Sequence, residues 1–203
     1  VKGKQAHGSR PWSGIDPIVA SVKIIDGLQT IISRESELTK EGAVITIGMI
    51  NAGIRSNIIP ESAKIVGTIR TLDYGMQKFI NKRMKEMVPV IAKAYRATAT
   101  IEIDKGYPIT YNDEKLTAQM LPTLQRIANA KNVIEIDAIT GAEDFSFFQQ
   151  KIPGLYFFLG GKSVDTKPEN AAGHHTPGFV LDESGFLLGV KTMTALALDY
   201  LNK

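Results

Sequence analysis

Residues 63–72 read AKIVGTIRTL, and their alternation decides the first half of the fold. Successive side chains of a strand point to opposite faces. Ile65, Gly67 and Ile69 therefore share one face, and Lys64, Val66, Thr68 and Arg70 the other. Downstream, Asp73 offers a carboxylate at the right place to cap a helix. Ile80, Met84, Met87, Ile91 and Tyr95 then recur at helical spacing, with Pro89 expected to bend the helix. Thr98 to Asp104 alternates again, with Ile101 and Ile103 inward. Upstream, Val44 to Ile50 is a β-rich run closed by Asn51-Ala52-Gly53. Asp16 followed by Pro17 starts an earlier helix, because an acceptor side chain precedes a ring whose φ suits the first turn. Its stripe is Ile18, Val22, Ile25, Leu28 and Ile32. A short strand at Lys2–Ala6 completes the order β-α-β-β-α-β. That order is the ferredoxin-like arrangement, a four-stranded antiparallel sheet with two helices on one face. Gly106-Tyr107-Pro108 breaks the chain, so residues 1–110 form the first domain.

Residues 111–203 alternate differently. A helix is expected over 114–129, a short strand near Val133–Ile136, and a turn into Glu143–Gln149. Leu155–Leu159 (LYFFL) reads as a strand buried on both faces. A last helix, about 183–201, carries Phe186, Val190, Met193, Leu196 and Leu201. This is the tail of an α/β sandwich with too few strands to cover both faces of a sheet. The chain begins at Val1 rather than Met, with no signal-type apolar stretch, so it is a mature product or a piece, natural or engineered, of a longer chain, and the second half reads as incomplete. Compartment is left open.

The 203 residues are 43% apolar and 22% charged, a globular composition. There is no cysteine, which excludes disulfides, thiolate catalysis and cysteine-ligated metal sites within the chain. No run of eighteen uncharged apolar residues occurs, so no membrane span is expected. The net charge of +3 is too small to argue for nucleic acid. It is unevenly placed, however. Residues 1–110 hold sixteen Lys/Arg against ten Asp/Glu, and residues 111–203 hold eight against eleven. The first half is suited to face an anion, although lysines that merely solubilise helix faces give the same count.

Three histidines are present. His7 lies in GKQAHGSRPWSG (3–14), a glycine-flanked polar loop that leaves an imidazole accessible; on spacing alone, a loop histidine with a local hydrogen bond is the favoured reading. His174 and His175 lie in GHHTPGF (173–179). Adjacent side chains diverge, so one metal ion would take only one of them, and zinc needs three or four protein ligands. Neither HExxH nor CxxC is present, and a solvated loop pair is favoured on spacing alone. In GAEDFSFF (141–148), Gly141, Glu143 and Asp144 make a candidate active-site loop. Either carboxylate also serves as a plain helix cap. Asn57 in IRSNIIP and Arg70 in GTIRTLD could clamp a carboxylate, since a guanidinium binds such anions bidentately.

Four segments together carry a resemblance: GKQAHGSRPWSGIDPI (3–18), NAGIRSNIIPESAKIVGTIRT (51–71), GAEDF (141–145) and GHHTPGFVLDESG (173–185). In this order they resemble the aminoacylase/carboxypeptidase G family of zinc-dependent hydrolases, most of all the branch that cleaves hippurate and auxin–amino acid conjugates. The resemblance implies that residues 1–110 are a lid and dimerisation domain and 111–203 the closing part of a catalytic α/β domain. It implies His175 as a metal ligand. It also implies His7 as an oxyanion donor reaching the partner subunit's site, and Asn57 and Arg70 as binders of the substrate's free carboxylate across the dimer. The expected activity is hydrolysis of the amide bond of N-acyl amino acids by metal-activated water. Two zinc ions (or manganese or cobalt) are expected per site in the intact enzyme, and none held tightly by this chain alone. The expected partner is a second copy, through the lid, with neither nucleic acid nor membrane involved. The alternative is a stand-alone ferredoxin-like module that dimerises or binds a small carboxylate without catalysis. RNA is a weaker version of it, because the aromatic RNP1 pattern is missing from the strands.

Overall fold

A computed structural model describes residues 1–202 and divides the chain into two compact units. One comprises residues 1–109 with 138–141, the other 110–137 with 142 onward.

In the first unit, β1 (Ala6–His7) is followed by α1 (Pro17–Thr30), then by a π-helical turn over Ile31–Glu35. Strands β2 (Ala43–Ala52), β3 (Ile58–Ile59) and β4 (Ala63–Thr71) come next, and α2 (Tyr74–Ala94) after them. The helix starts are where the sequence places them. Asp16 Oδ1 accepts from the main-chain N–H of Ile18 at 2.8 Å, and Asp73 Oδ1 accepts from that of Met76 at 2.7 Å. Ala20, Ile24, Leu28 and Ile31 from the first helix and its extension are buried against Ile80, Met84, Val88 and Ala92 of α2 and against Ile45 of β2. Full burial of each large aliphatic side chain contributes about 1.5–3 kcal/mol.

The α+β class is as expected, but several details differ. The buried seam of α2 runs through Ile80, Met84, Val88 and Ala92. Met87 and Ile91 flank it, and Tyr95 is outside the helix and exposed. The helix runs through Pro89 without interruption. The sheet is two antiparallel ladders, β1 with β3 and β2 with β4, rather than one regular four-stranded sheet. Isolated bridges from Lys2 to Ser62 and from Lys2 to Thr98 trace the expected strand order between them. The N-terminal strand is short because Lys4 turns to pair with Ile15 instead. Residues 101–104 form no ladder, although Ile101 and Ile103 pack on the core. In the β2–β4 ladder, Gly67 allows a close approach: a Cβ there would lie 2.3 Å from the carbonyl oxygen of Thr46.

In the second unit, α3 (Glu114–Ala128) is capped by Asp113, whose Oδ1 accepts from Leu116 N–H at 2.8 Å. It packs on α5 (Phe186–Leu201). The joint is polar: Asp199 Oδ2 accepts from Thr123 Oγ1 at 2.5 Å and from Arg126 Nη2 at 2.6 Å. The short α4 (Phe145–Gln149) lies between them in sequence. The strands expected at Val133–Ile136 and Leu155–Leu159 are not formed. A ladder needs a partner, and among the described residues this unit contains no strand. Phe158 and Leu159 are exposed rather than buried on both faces. Of the stripe expected on the last helix, Leu196 turns inward and the rest faces outward, with Phe186 48%, Val190 63%, Met193 62% and Leu201 76% exposed. Thr192 and half-buried Leu188 and Leu196 lie on its other side.

Candidate functional site

His7 ends β1, paired in register with Ile58 of β3. One residue on, Gly8 donates its N–H to the carbonyl oxygen of Asn57 at 2.7 Å. The two backbones lie so close that a Cβ on Gly8 would stand 3.0 Å from that oxygen and 3.2 Å from its carbon. His7 and Asn57 are thereby held at one end of the first unit, both exposed. Arg10 N–H donates to the carbonyl of His7 at 2.8 Å, closing a turn over Gly8 and Ser9. Inside that turn, His7 Nδ1 accepts from Ser9 N–H at 3.1 Å and contacts Ser9 Oγ at 2.8 Å. A main-chain N–H can only donate, so Nδ1 is the acceptor and the proton of the neutral ring sits on Nε2. The turn thus presents an outward N–H donor. Ser9 was not singled out by the sequence reading. Its signal is a hydroxyl two residues beyond a histidine, across a glycine, which is within reach of Nδ1.

Arg70 is also exposed, next to Val44 in the β2–β4 register, and makes no ion pair among the described residues. It lies far from Asn57. From Ala63 to Arg70 the strand rises roughly 23 Å at about 3.3 Å per residue, leading away from β3. The two do not converge within one chain.

In the second unit, His174 and His175 sit in an exposed turn. Their rings stand 6.5 Å apart at 80°, and His174 packs edge-on against Phe179 at 4.8 Å. His175 has φ +62°, a left-handed conformation that non-glycine residues adopt at a cost of roughly 1–2 kcal/mol. The turn therefore separates the two imidazoles, one against an aromatic ring and one turned out. Neither Glu143 nor Asp144 caps α4 by its side chain; the helix start is held by Ser146, whose hydroxyl donates to the Glu143 carbonyl at 2.6 Å. The Glu143 carboxylate instead lies close enough to the Tyr156 phenol to act on it. Burial, with the charges of Glu143 and Asp144 behind it, pushes that phenol above its ordinary range. Tyr156 is fixed by Asn112, which bonds its N–H at 2.6 Å and its carbonyl at 2.8 Å, and by rings of Phe145 and Phe158 at 5.9 and 5.3 Å. Gly141 is exposed and open enough for a side chain.

Among the described residues no group of three or more His, Cys, Asp or Glu lies together as a metal site. The donor set of His175 alone does not fit a zinc ion, which needs three or four ligands.

Residues 1–96 match the family described as the peptidase dimerisation domain. Over its whole length the chain is 36% identical to thermostable carboxypeptidase 2 of Saccharolobus solfataricus, of which it covers 50%. It is 31% identical to N-acetyl-L-cysteine deacetylase of Bacillus subtilis, with 92% of this chain and 42% of that protein aligned. A crystal structure of a dinuclear metal-binding peptidase of the M20 family from Bacillus subtilis superposes with a TM-score of 0.73 at 27% identity, covering 99% of this chain and 49% of that one. The chain spans about half the length of the curated relatives it matches. The resemblance carried by the four sequence segments is borne out: the chain belongs to the family of M20 peptidases and amidohydrolases, with residues 1–96 as its peptidase dimerisation domain.

Proposed function

We propose that the chain serves a metal-dependent amidohydrolase that cleaves the amide bond of N-acyl amino acids. Residues 1–110 act as lid and dimerisation domain, and residues 111–203 as the C-terminal part of the catalytic domain. The observation that carries this reading is the outward Nε2–H of His7, prepared by the turn and held beside Asn57. A neutral donor of this kind serves a carbonyl oxygen that becomes negative as the amide is attacked. His7 donates to that oxygen in the partner subunit's site. Asn57 and Arg70 bind the substrate's free carboxylate. Because they lie far apart along one chain, the clamp is completed between subunits, one residue from each. His175 contributes one metal ligand; the described residues alone do not hold the ion. Glu143 and Asp144 belong to the active-site loop, beside the Tyr156 phenol.

The test is His7→Ala in an active enzyme that carries these residues. Loss of an oxyanion donor lowers kcat by about 10²–10³ with little change in KM. Mixing this variant with one inactivated at its metal site should restore activity in heterodimers, since one site of each mixed dimer keeps both its metals and a donating lid. An unchanged kcat would return His7 to a loop residue and sink the reading.

A further inference from the structure

We infer that Ser9 is a positioning residue for His7, holding its ring in the one tautomer and orientation that leave an N–H on Nε2. This rests on the proposed role of His7. A neutral imidazole has two tautomers and can also rotate about its Cβ–Cγ bond, so an exposed histidine presents a donor at a given point only part of the time. His7 is exposed.

What constrains the ring is Ser9, and it does so twice through one nitrogen. Its main-chain N–H lies 3.1 Å from Nδ1, and its hydroxyl oxygen lies 2.8 Å from the same atom. The alternative tautomer would place a hydrogen on Nδ1 facing the hydrogen of the main-chain N–H. The amide cannot turn to accept, and the shorter hydroxyl contact is what keeps Nδ1 against it. Without the hydroxyl the ring is free to leave the one position in which the amide selects the tautomer. Rotating the ring would take Nδ1 away from both donors and bring a C–H to them. With both contacts made, the acceptor is fixed on Nδ1 and the donor on Nε2. The turn closed by Arg10 N–H on the His7 carbonyl keeps Ser9 in place. The partners of a functional imidazole's second nitrogen commonly set its tautomer in this way.

The tautomer is read directly from imidazole nitrogen shifts in the 203-residue chain labelled at histidine. His7→Ala identifies the signals. Wild type should show an unprotonated Nδ1 and a protonated Nε2. Ser9→Ala keeps the amide but loses the hydroxyl, and should move both signals toward averaged values. Ser9→Thr, which keeps a hydroxyl, should restore them. In an active enzyme carrying these residues, Ser9→Ala should lower kcat about threefold to tenfold at unchanged KM, as expected for one lost hydrogen bond. A protonated Nδ1 in wild type, or shifts identical in wild type and Ser9→Ala, would overturn the proposal even if His7→Ala abolishes turnover. Conversely, an unchanged kcat in His7→Ala would remove the role of His7 while the nitrogen shifts still decide whether Ser9 sets its tautomer.

Discussion

Gly8 hydrogen-bonds Asn57 across 2.7 Å of backbone, and this bond places the only histidine of the first unit beside its hairpin asparagine. The contact is tight enough to favour a glycine. A methyl group on Gly8 would press on the carbonyl oxygen and carbon of Asn57, which are main-chain atoms and cannot rotate aside. Gly8→Ala should therefore cost about 1–3 kcal/mol, the range for a forced backbone shift. Gly48→Ala, where a Cβ meets nothing within 4 Å, should cost far less. Urea unfolding of the two variants makes the comparison. Equal stability would mean that β1 and β3 are not held at this distance.

A second prediction concerns acid. Arg83 Nε donates to Glu35 Oε2 at 2.6 Å and Nη2 to Oε1 at 3.2 Å, tying the end of the π-helical turn to α2. The hydrogen bond from Arg83 holds the Glu35 carboxyl below its ordinary value of 4.5. The folded state therefore prefers the ionised form more than the unfolded state does. The contribution is present above the ordinary value and is lost as pH falls through it toward the lower folded value. Both side chains remain partly open to solvent, so the effect is small. Glu35→Gln should melt slightly below wild type at neutral pH, with the gap closing as pH falls through the lowered folded value. A gap that persists undiminished in acid would show that Glu35 acts through packing rather than charge.

The starts of α1 and α2 were legible because a cap is a local device: Asp16 and Asp73 each bond an amide two or three residues on. What lies across a face is not local. The apolar residues of α5 show that a surface can be covered, but not which side meets α3, and Thr192 rather than Val190 turned out to be buried. LYFFL has the composition of a central strand, yet a ladder depends on a neighbour that the periodicity of five residues cannot reveal. At the site, His7 and Asn57 were legible as residue types, while their adjacency came from register. The separation of Arg70 from Asn57 came from the length of β4.

The third prediction is dimerisation. β2 pairs with β4 on one edge and with no described strand on the other, so ten residues of main chain from Ala43 to Ala52 present an open edge. Open edges of this length recruit another strand, and a second copy antiparallel to the first makes a closed twofold pair. The chain should be dimeric by light scattering at tens of micromolar. A monomer at that concentration would count against pairing through the first unit. It would also count against any site assembled from two subunits.

The last prediction is substrate recognition, where the distance between Arg70 and Asn57 matters most. If both hold the same carboxylate, they come from different subunits, because β4 carries Arg70 roughly 23 Å away from the β3 end at about 3.3 Å per residue. Arg70 is exposed and makes no ion pair among the described residues, so its guanidinium is available to an anion. In an active enzyme carrying these residues, Arg70→Ala removes a charge-assisted contact worth about 2–4 kcal/mol. The value of kcat/KM for acyl-amino acids should fall by about 30- to 1000-fold. The matching amides, which lack the carboxylate, should be nearly unaffected. Arg70→Lys should recover only part of the loss, because an ammonium cannot make the bidentate contact. A mixed dimer of Arg70→Ala with Asn57→Ala separates the geometries. If each site draws one residue from each subunit, one site in the mixed dimer lacks both residues and the other lacks neither, so half the wild-type activity returns. If one chain supplies both, every site lacks one of them and activity stays low, which would overturn the assignment across subunits. Equal damage to both substrate classes by Arg70→Ala would make Arg70 a strand residue with no part in binding.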